Sequence, residues 1–122
     1  MLIAFPANDQ SETSTISPSF GRASYFLLYD TKTKETHSYM NTAADATGGA
    51  GIAAAQSLVD MKTEVLITPR CGENAAQVLT RAGIRLYASQ GVSVSDNLAR
   101  YAKGELSELI DIHPGYHHHG GR

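Results

Sequence analysis

A single cysteine, Cys71, stands in the whole chain, which excludes an intramolecular disulfide and fits a reducing compartment. Long apolar runs are lacking as well. None approaches the roughly 20 residues that span a bilayer, so no membrane partner is expected. The opening MLIAFP is too short for a signal-peptide core and carries no basic leader, which makes the cytoplasm the expected location. Nor is basic charge in excess: 10 Lys and Arg face 12 Asp and Glu, for a net charge of −2 with histidines neutral. That balance argues against non-specific nucleic-acid binding, which needs a basic surface to release phosphate counterions. What remains is ordinary globular material. With 42% hydrophobic and 18% charged residues over 122 positions, the chain can build one continuous core but not two.

Along the chain, Leu2 to Phe5 is a continuous apolar run closed by Pro6, the pattern of a strand buried on both faces. Residues 7–19, rich in Ser and Thr, read as a loop. Tyr25 to Tyr29 forms a second run, and the polar Asp30–Glu35 stretch leads into an alternation around His37, Tyr39 and Asn41, as in an antiparallel pair. The small-residue segment TAADATGGAG (42–51) opens a helix with Ile52, Ala55 and Val59 as its inward positions. Val65 to Thr68 is a short buried strand stopping at Pro69. Ala75, Val78, Leu79 and Ala82 share one helical face that Gly83 ends, and Ile84 to Ala88 is the last strand. Ser93 with Asp96 forms a capping box in its Asp form, opening a third helix that buries Val94, Leu98 and Tyr101 and stops at Gly104.

The order β-β-β-α-β-α-β-α pairs three strands as a meander and joins the later ones through right-handed crossovers. The expected fold is α/β: a five-stranded mixed sheet in the order 3-2-1-4-5 with helices on its faces. Residues 1–109 form a single domain, and 110–122 a flexible His-rich tail. One sheet edge then collects Phe20, Gly21 and Arg22 at the entry to strand 2, and Gly48, Gly49 and Gly51 before the first helix. Arg70, Cys71, Gly72 and Asn74 before the second helix join them, with Gln90–Gly91. Ligands of open α/β sheets bind at the carboxyl ends of the strands. Two glycine loops feeding helix N-termini present N–H groups and the positive dipole end to an anion: phosphate, carboxylate or metal–sulfide cluster. Arg22 and Arg70 would add charge-assisted donors; simple tight turns are the plainer explanation of either loop alone.

Cys71, at the start of a helix and on a loop, is expected to be exposed, with a lowered thiol pKa and metal-ligating capacity. A buried small hydrophobe is the alternative. One thiolate cannot hold an iron–sulfur cluster in the four-cysteine manner. His37, near the start of strand 3, is expected on the surface, away from Cys71. The tail contributes His113, His117, His118 and His119 as candidate ligands for Zn²⁺, Cu²⁺ or Ni²⁺. A terminus without a role, or a remnant of a tag, would look the same. From Gly104 to His113 the chain reaches up to ~30 Å when extended, enough to bring His113 to the rim.

The stretches MLIAFP, ISPSFGRASYFLLYD (16–30), GGAGIAAAQSLVD (48–60), VLITPRCGENAAQVLTRAGIRLY (65–87) and LARYAKGELSEL (98–109) together resemble the dinitrogenase iron–molybdenum cofactor biosynthesis family. The S-x-x-F-G-R-x-x-Y-F segment, followed by G-x-N-A and A-G-I, is the specific combination. The resemblance implies a ribonuclease-H-like fold and binding or carriage of a metal–sulfur cluster of the iron–molybdenum type. In the short stand-alone subgroup it implies a molybdenum–copper sulfide cluster held without covalent attachment, and P-loop ATPases as partners. Many family members carry histidine just before the G-x-G of the first helix loop, where this chain has Gly48. Cys71, the tail, or backbone and arginine donors would have to replace it.

No enzymatic chemistry is expected. A nuclease of this fold would need clustered carboxylates on central strands, and the first strand, LIAF, has none. Neither a Ser-His-Asp set nor a Cys-His pair is suggested. Two non-enzymatic alternatives to a cluster carrier remain open: a regulatory protein-interaction module, and a sensor of small anions or nucleotides.

Overall fold

The structure is a computed structural model that describes residues 1–45 and 48–113. Its elements are β1 (Leu2–Ala7), β2 (Tyr25–Asp30), β3 (Glu35–Met40), α1 (Ala50–Asp60), β4 (Val65–Thr68), β5 (Cys71–Gly72), α2 (Glu73–Arg81), β6 (Arg85–Ala88), α3 (Val94–Ala102) and β7 (Ile112–His113). The fold is mixed α/β, with three helices and a five-stranded sheet in the order β3-β2-β1-β4-β6. The outermost strand, expected as the fifth at Ile84–Ala88, is numbered β6, because an unexpected two-residue strand, β5, precedes it and pairs elsewhere. β1 is antiparallel to β2 and parallel to β4, and β4 is parallel to β6. Among the described residues no helix is long and apolar enough to cross a membrane.

Alternation along the central strands divides the core into two layers. Ala4, Phe26, Leu28 and Leu66 point to one face, where Ala54, Ala55 and Leu58 of α1 and Ala75, Ala76 and Leu79 of α2 cover them. Ile3, Phe5, Leu27, Val65 and Ile67 point to the other, against Val94 of α3, with Leu98 and Tyr101 beside it. Strands buried on both faces must be almost wholly apolar, as β1 is throughout and β4 is over Val65–Ile67; Thr68, its last residue, is buried with its hydroxyl hydrogen-bonded. β1 runs past the expected stop at Pro6. The parallel register with β4 ends at Ala4, so no ladder bond is asked of the proline nitrogen. The Pro6 carbonyl instead accepts Ser17 N–H at 2.8 Å.

The inward face of α1 differs from the expected one. Ala50, Ala54, Ala55 and Leu58 are buried, Ile52 is 44% exposed, and Val59 packs only at the margin. Alanine on every side of this helix leaves its apolar periodicity nearly featureless, so tertiary packing chooses the face. In α3, Ser93 Oγ accepts Asp96 N–H at 3.1 Å as the expected cap. The fully buried Asn97 was not anticipated. Its Oδ1 accepts Gln90 N–H (2.7 Å), and its Nδ2 donates to the carbonyls of Gln90 (2.9 Å) and Ser93 (2.8 Å). The backbone of Gln90 is thereby committed to holding this turn.

The backbone between β1 and β2 lies directly on the first turn of α1. A Cβ on Gly21 would stand 2.9 Å from both Cα and N of Gly51, whereas a Cβ on Gly51 would meet only Ala75 Cβ, at 3.5 Å. Only glycine permits the first approach. Gly21→Ala is therefore expected to lose about 1–3 kcal/mol in denaturant unfolding, the range for overpacking. Gly51→Ala should be neutral or stabilising by up to ~1 kcal/mol, the helix-propensity difference. Equal losses from the two would contradict this packing.

Candidate functional site

Where β1 and β4 end, the chain leaves a cleft of about 920 Å³. Three segments bound it: 18–22 before β2, 48–52 entering α1, and 70–75 running through β5 into α2, with His113 closing one side. Phe20, Gly21, Arg22, Gly48, Gly49, Gly51, Arg70, Cys71, Gly72 and Asn74, singled out from the sequence, all line it. Gln90 and Gly91 do not.

Both helices that open on the cleft begin at a glycine. Gly49 caps α1 in the left-handed region (φ 69°), and Gly72 caps α2 in an extended conformation. Neither has a side chain to accept a first-turn N–H, and neither cap forms a side-chain hydrogen bond. The early N–H groups of a helix have no partner within it and look to solvent or a ligand. The first turns lie close together, since the Gly51 Cβ position is 3.5 Å from Ala75 Cβ. Two positive dipole ends thus address one space. No acidic residue stands in the first turn of α1; Glu73 stands in that of α2.

Arg22 and Arg70 bring the cationic side chains. Arg22 donates from Nη1 to the Ala44 carbonyl at 2.7 Å, which ties it to the segment leading to α1. The loop beneath it is fixed by Asn41, whose Nδ2 donates to the carbonyls of Gly21 (3.0 Å) and Ala23 (2.9 Å) while its Oδ1 accepts Ala43 N–H (3.1 Å). Arg70 follows the buried Thr68, whose hydroxyl donates to the Arg70 carbonyl at 3.1 Å, and its Nε lies 3.9 Å from Asp111 Oδ2. Asn41 and Thr68 escaped the sequence reading because each acts through backbone that is distant or folded back on itself. Asn41 at the end of an alternating strand was the only available sign.

Cys71 requires a correction. It is 1% exposed and packs within the layer of Phe20, Ala75 and Leu79. Burial pushes its thiol up to about 11, opposite to the lowering expected of a thiol at a helix start. Desolvation of the thiolate outweighs the helix dipole. The residue is a small hydrophobe in the wall of the cleft.

His37 is exposed on β3, with Nε2 3.5 Å from Glu35 Oε1, and takes no part in the cleft. His113 does reach it: β7 pairs in parallel with β5, matching Ile112 to Cys71 and His113 to Gly72. A Cβ on Gly72 would meet its imidazole at 3.4 Å. Thus Ile112 and His113, expected within the tail, form a strand. His117, His118 and His119 lie outside the described residues. Among the described residues no three His, Cys, Asp or Glu side chains are grouped to hold a metal ion. The donor set suits an anion received by N–H groups and guanidinium; it does not suit a cation held by several side-chain ligands.

A family model described as dinitrogenase iron–molybdenum cofactor matches residues 1–104. Among solved structures, the apo form of the orange protein from Desulfovibrio gigas is 30% identical with a TM-score of 0.85, covering 90% of this chain and 93% of that one. A protein from Thermotoga, provisionally named NifB, is 36% identical with a TM-score of 0.78, covering 88% and 92%. A provisional dinitrogenase from Methanocaldococcus jannaschii, at 23% identity and TM-score 0.70 over 91% and 96%, shares the fold. Comparison with curated proteins gives no match.

The buried thiol sets a measurable rate. With its pKa raised to about 11, Cys71 should react with iodoacetamide at pH 8 at least ~100-fold more slowly in the folded protein than in urea, because the thiolate is the nucleophile. A folded-state rate equal to that of the unfolded chain would show the thiol to be open and acidic.

Proposed function

The chain belongs to the dinitrogenase iron–molybdenum cofactor family, and on that premise we propose that its cleft binds and carries an anionic metal–sulfur cluster, acting as a carrier and not as an enzyme. Membership points to cofactor binding or biosynthesis. The observation that carries the finer reading is the convergence of two glycine-capped helix N-termini with Arg22 and Arg70 around a single cleft of about 920 Å³. A metal–sulfide cluster with net negative charge matches those donors by charge and needs no covalent bond. A molybdenum-containing cluster, of the molybdenum–copper sulfide or iron–molybdenum type, is the cargo that the family resemblance favours. Likeness to the orange protein supports that choice. The ribonuclease-H-like assignment and a P-loop ATPase partner belong to the same reading through the resemblance. Cys71 enters it as wall and not as ligand. Among the described residues, His113 is the candidate metal ligand of the tail that lines the cleft.

A sensor of small anions would use the same N–H groups. The cleft favours the cluster, because its volume is that of a site for a sizeable ligand and far exceeds one tetrahedral oxyanion.

Anaerobic titration of the apo-protein with tetrathiomolybdate, with and without Cu(I), followed by desalting, tests the proposal. A stoichiometric charge-transfer band should be retained. Arg22→Ala and Arg70→Ala should each weaken retention about tenfold, the loss of a hydrogen bond to a charged group; Cys71→Ala should leave the band in place. No retained band, repeated with iron–sulfur precursors, contradicts the carrier reading.

A further inference from the structure

The geometry points to Asp111 as a built-in competitor for the cleft's anion donors, one that an incoming cluster must displace. This inference rests on the anion-binding reading above and adds what regulates the same site. Asp111 occupies two donors at once: its carboxylate lies 3.9 Å from Arg70 Nε, and its backbone carbonyl accepts Cys71 N–H at 3.2 Å. Cys71 N–H comes just before the first turn of α2, and Arg70 lines the same cleft. Asp111 does not itself line the cleft; its carboxylate and carbonyl engage, from beside it, two donors on the cleft's wall.

The strap that bears Asp111 is built to leave. Its pairing with β5 is two residues long, and short exposed ladders are the first to open. Ile110 and Ile112 on either side are 91% and 41% exposed, so little apolar burial resists detachment. Before it, Leu109 anchors the chain, 7% exposed in the main core, with its N–H on the Leu86 carbonyl at 3.0 Å. The hinge thus falls between Leu109 and Asp111. The ion pair itself is weak: Arg70 and Asp111 side chains are 52% and 59% exposed, where solvent screens most of the attraction. A cluster of higher charge, seated between two helix dipoles, outcompetes one exposed carboxylate for Arg70. In doing so it frees Cys71 N–H as a further donor and swings His113 off Gly72. Asp111 would then set a charge threshold, keeping singly charged anions out while admitting multiply charged ones.

Full-length wild type, Asp111→Asn, Arg70→Gln and the double variant test this with tetrathiomolybdate as probe at low ionic strength. Amide exchange at Cys71 is followed in the same samples. Asp111→Asn should tighten binding about two- to fivefold, the size of an exposed ion pair, and the gain should vanish on the Arg70→Gln background. Saturating probe should strip protection from the Cys71 amide in wild type. Binding without any Asp111→Asn gain overturns the inference and leaves the carrier reading standing. A gain that survives Arg70→Gln reflects net charge alone and also overturns it, as does a Cys71 amide equally protected with and without probe. Failure of every variant to bind removes the carrier reading, and the inference falls with it.

Discussion

The site depends on a backbone contact that has no room for a side chain. The segment entering β2 is laid on the first turn of α1 so closely that Gly21 and Gly51 meet main chain to main chain, and that contact brings Arg22 to the mouth of a helix. α2 packs its first turn against the same place. Both helices start at glycines, so no side-chain oxygen caps their positive ends. In most helices a Ser, Asp or Asn cap would use that potential internally; here it is left facing a cleft. The cost is modest, since glycine at the cap loses only a few tenths of a kcal/mol against the best residues.

Much of this was legible in the residue pattern. The apolar runs Leu2–Phe5 and Val65–Ile67 mark strands buried on both faces, and Ser93 with Asp96 marks the start of α3. From these the sheet and its carboxyl edge follow, and with them the residues that line the cleft. The parts that escaped share a physical cause: each depends on contacts between chain segments far apart in sequence. Two-residue strands such as β5 and β7 have no periodicity and exist only because they find each other. The face of α1 was hidden by its alanines. Cys71 was misjudged because its position at a helix start was visible, while the packing that buries it was not.

Charge around the cleft is balanced more finely than the net value of −2 suggests. Arg22 is tied to a backbone carbonyl and Arg70 faces a carboxylate, so each would meet an anion while already holding a partner within the protein. Glu73 in the first turn of α2 offsets part of that helix's positive end. Such an arrangement suits cargo that must be taken up and later released. A resident cofactor would call for tighter and more numerous side-chain ligands.

The central claim is that the two helix N-termini, and not a thiolate or an imidazole cluster, receive the cargo. Backbone amide chemical shifts of the ¹⁵N-labelled apo-protein, followed during anaerobic addition of tetrathiomolybdate, test it most directly. The largest, saturable shifts are expected at Ala50, Gly51 and Ile52 and at Glu73, Asn74 and Ala75, with smaller ones at Gly21 and Arg22. Shifts that leave both first turns unmoved and gather elsewhere would contradict it.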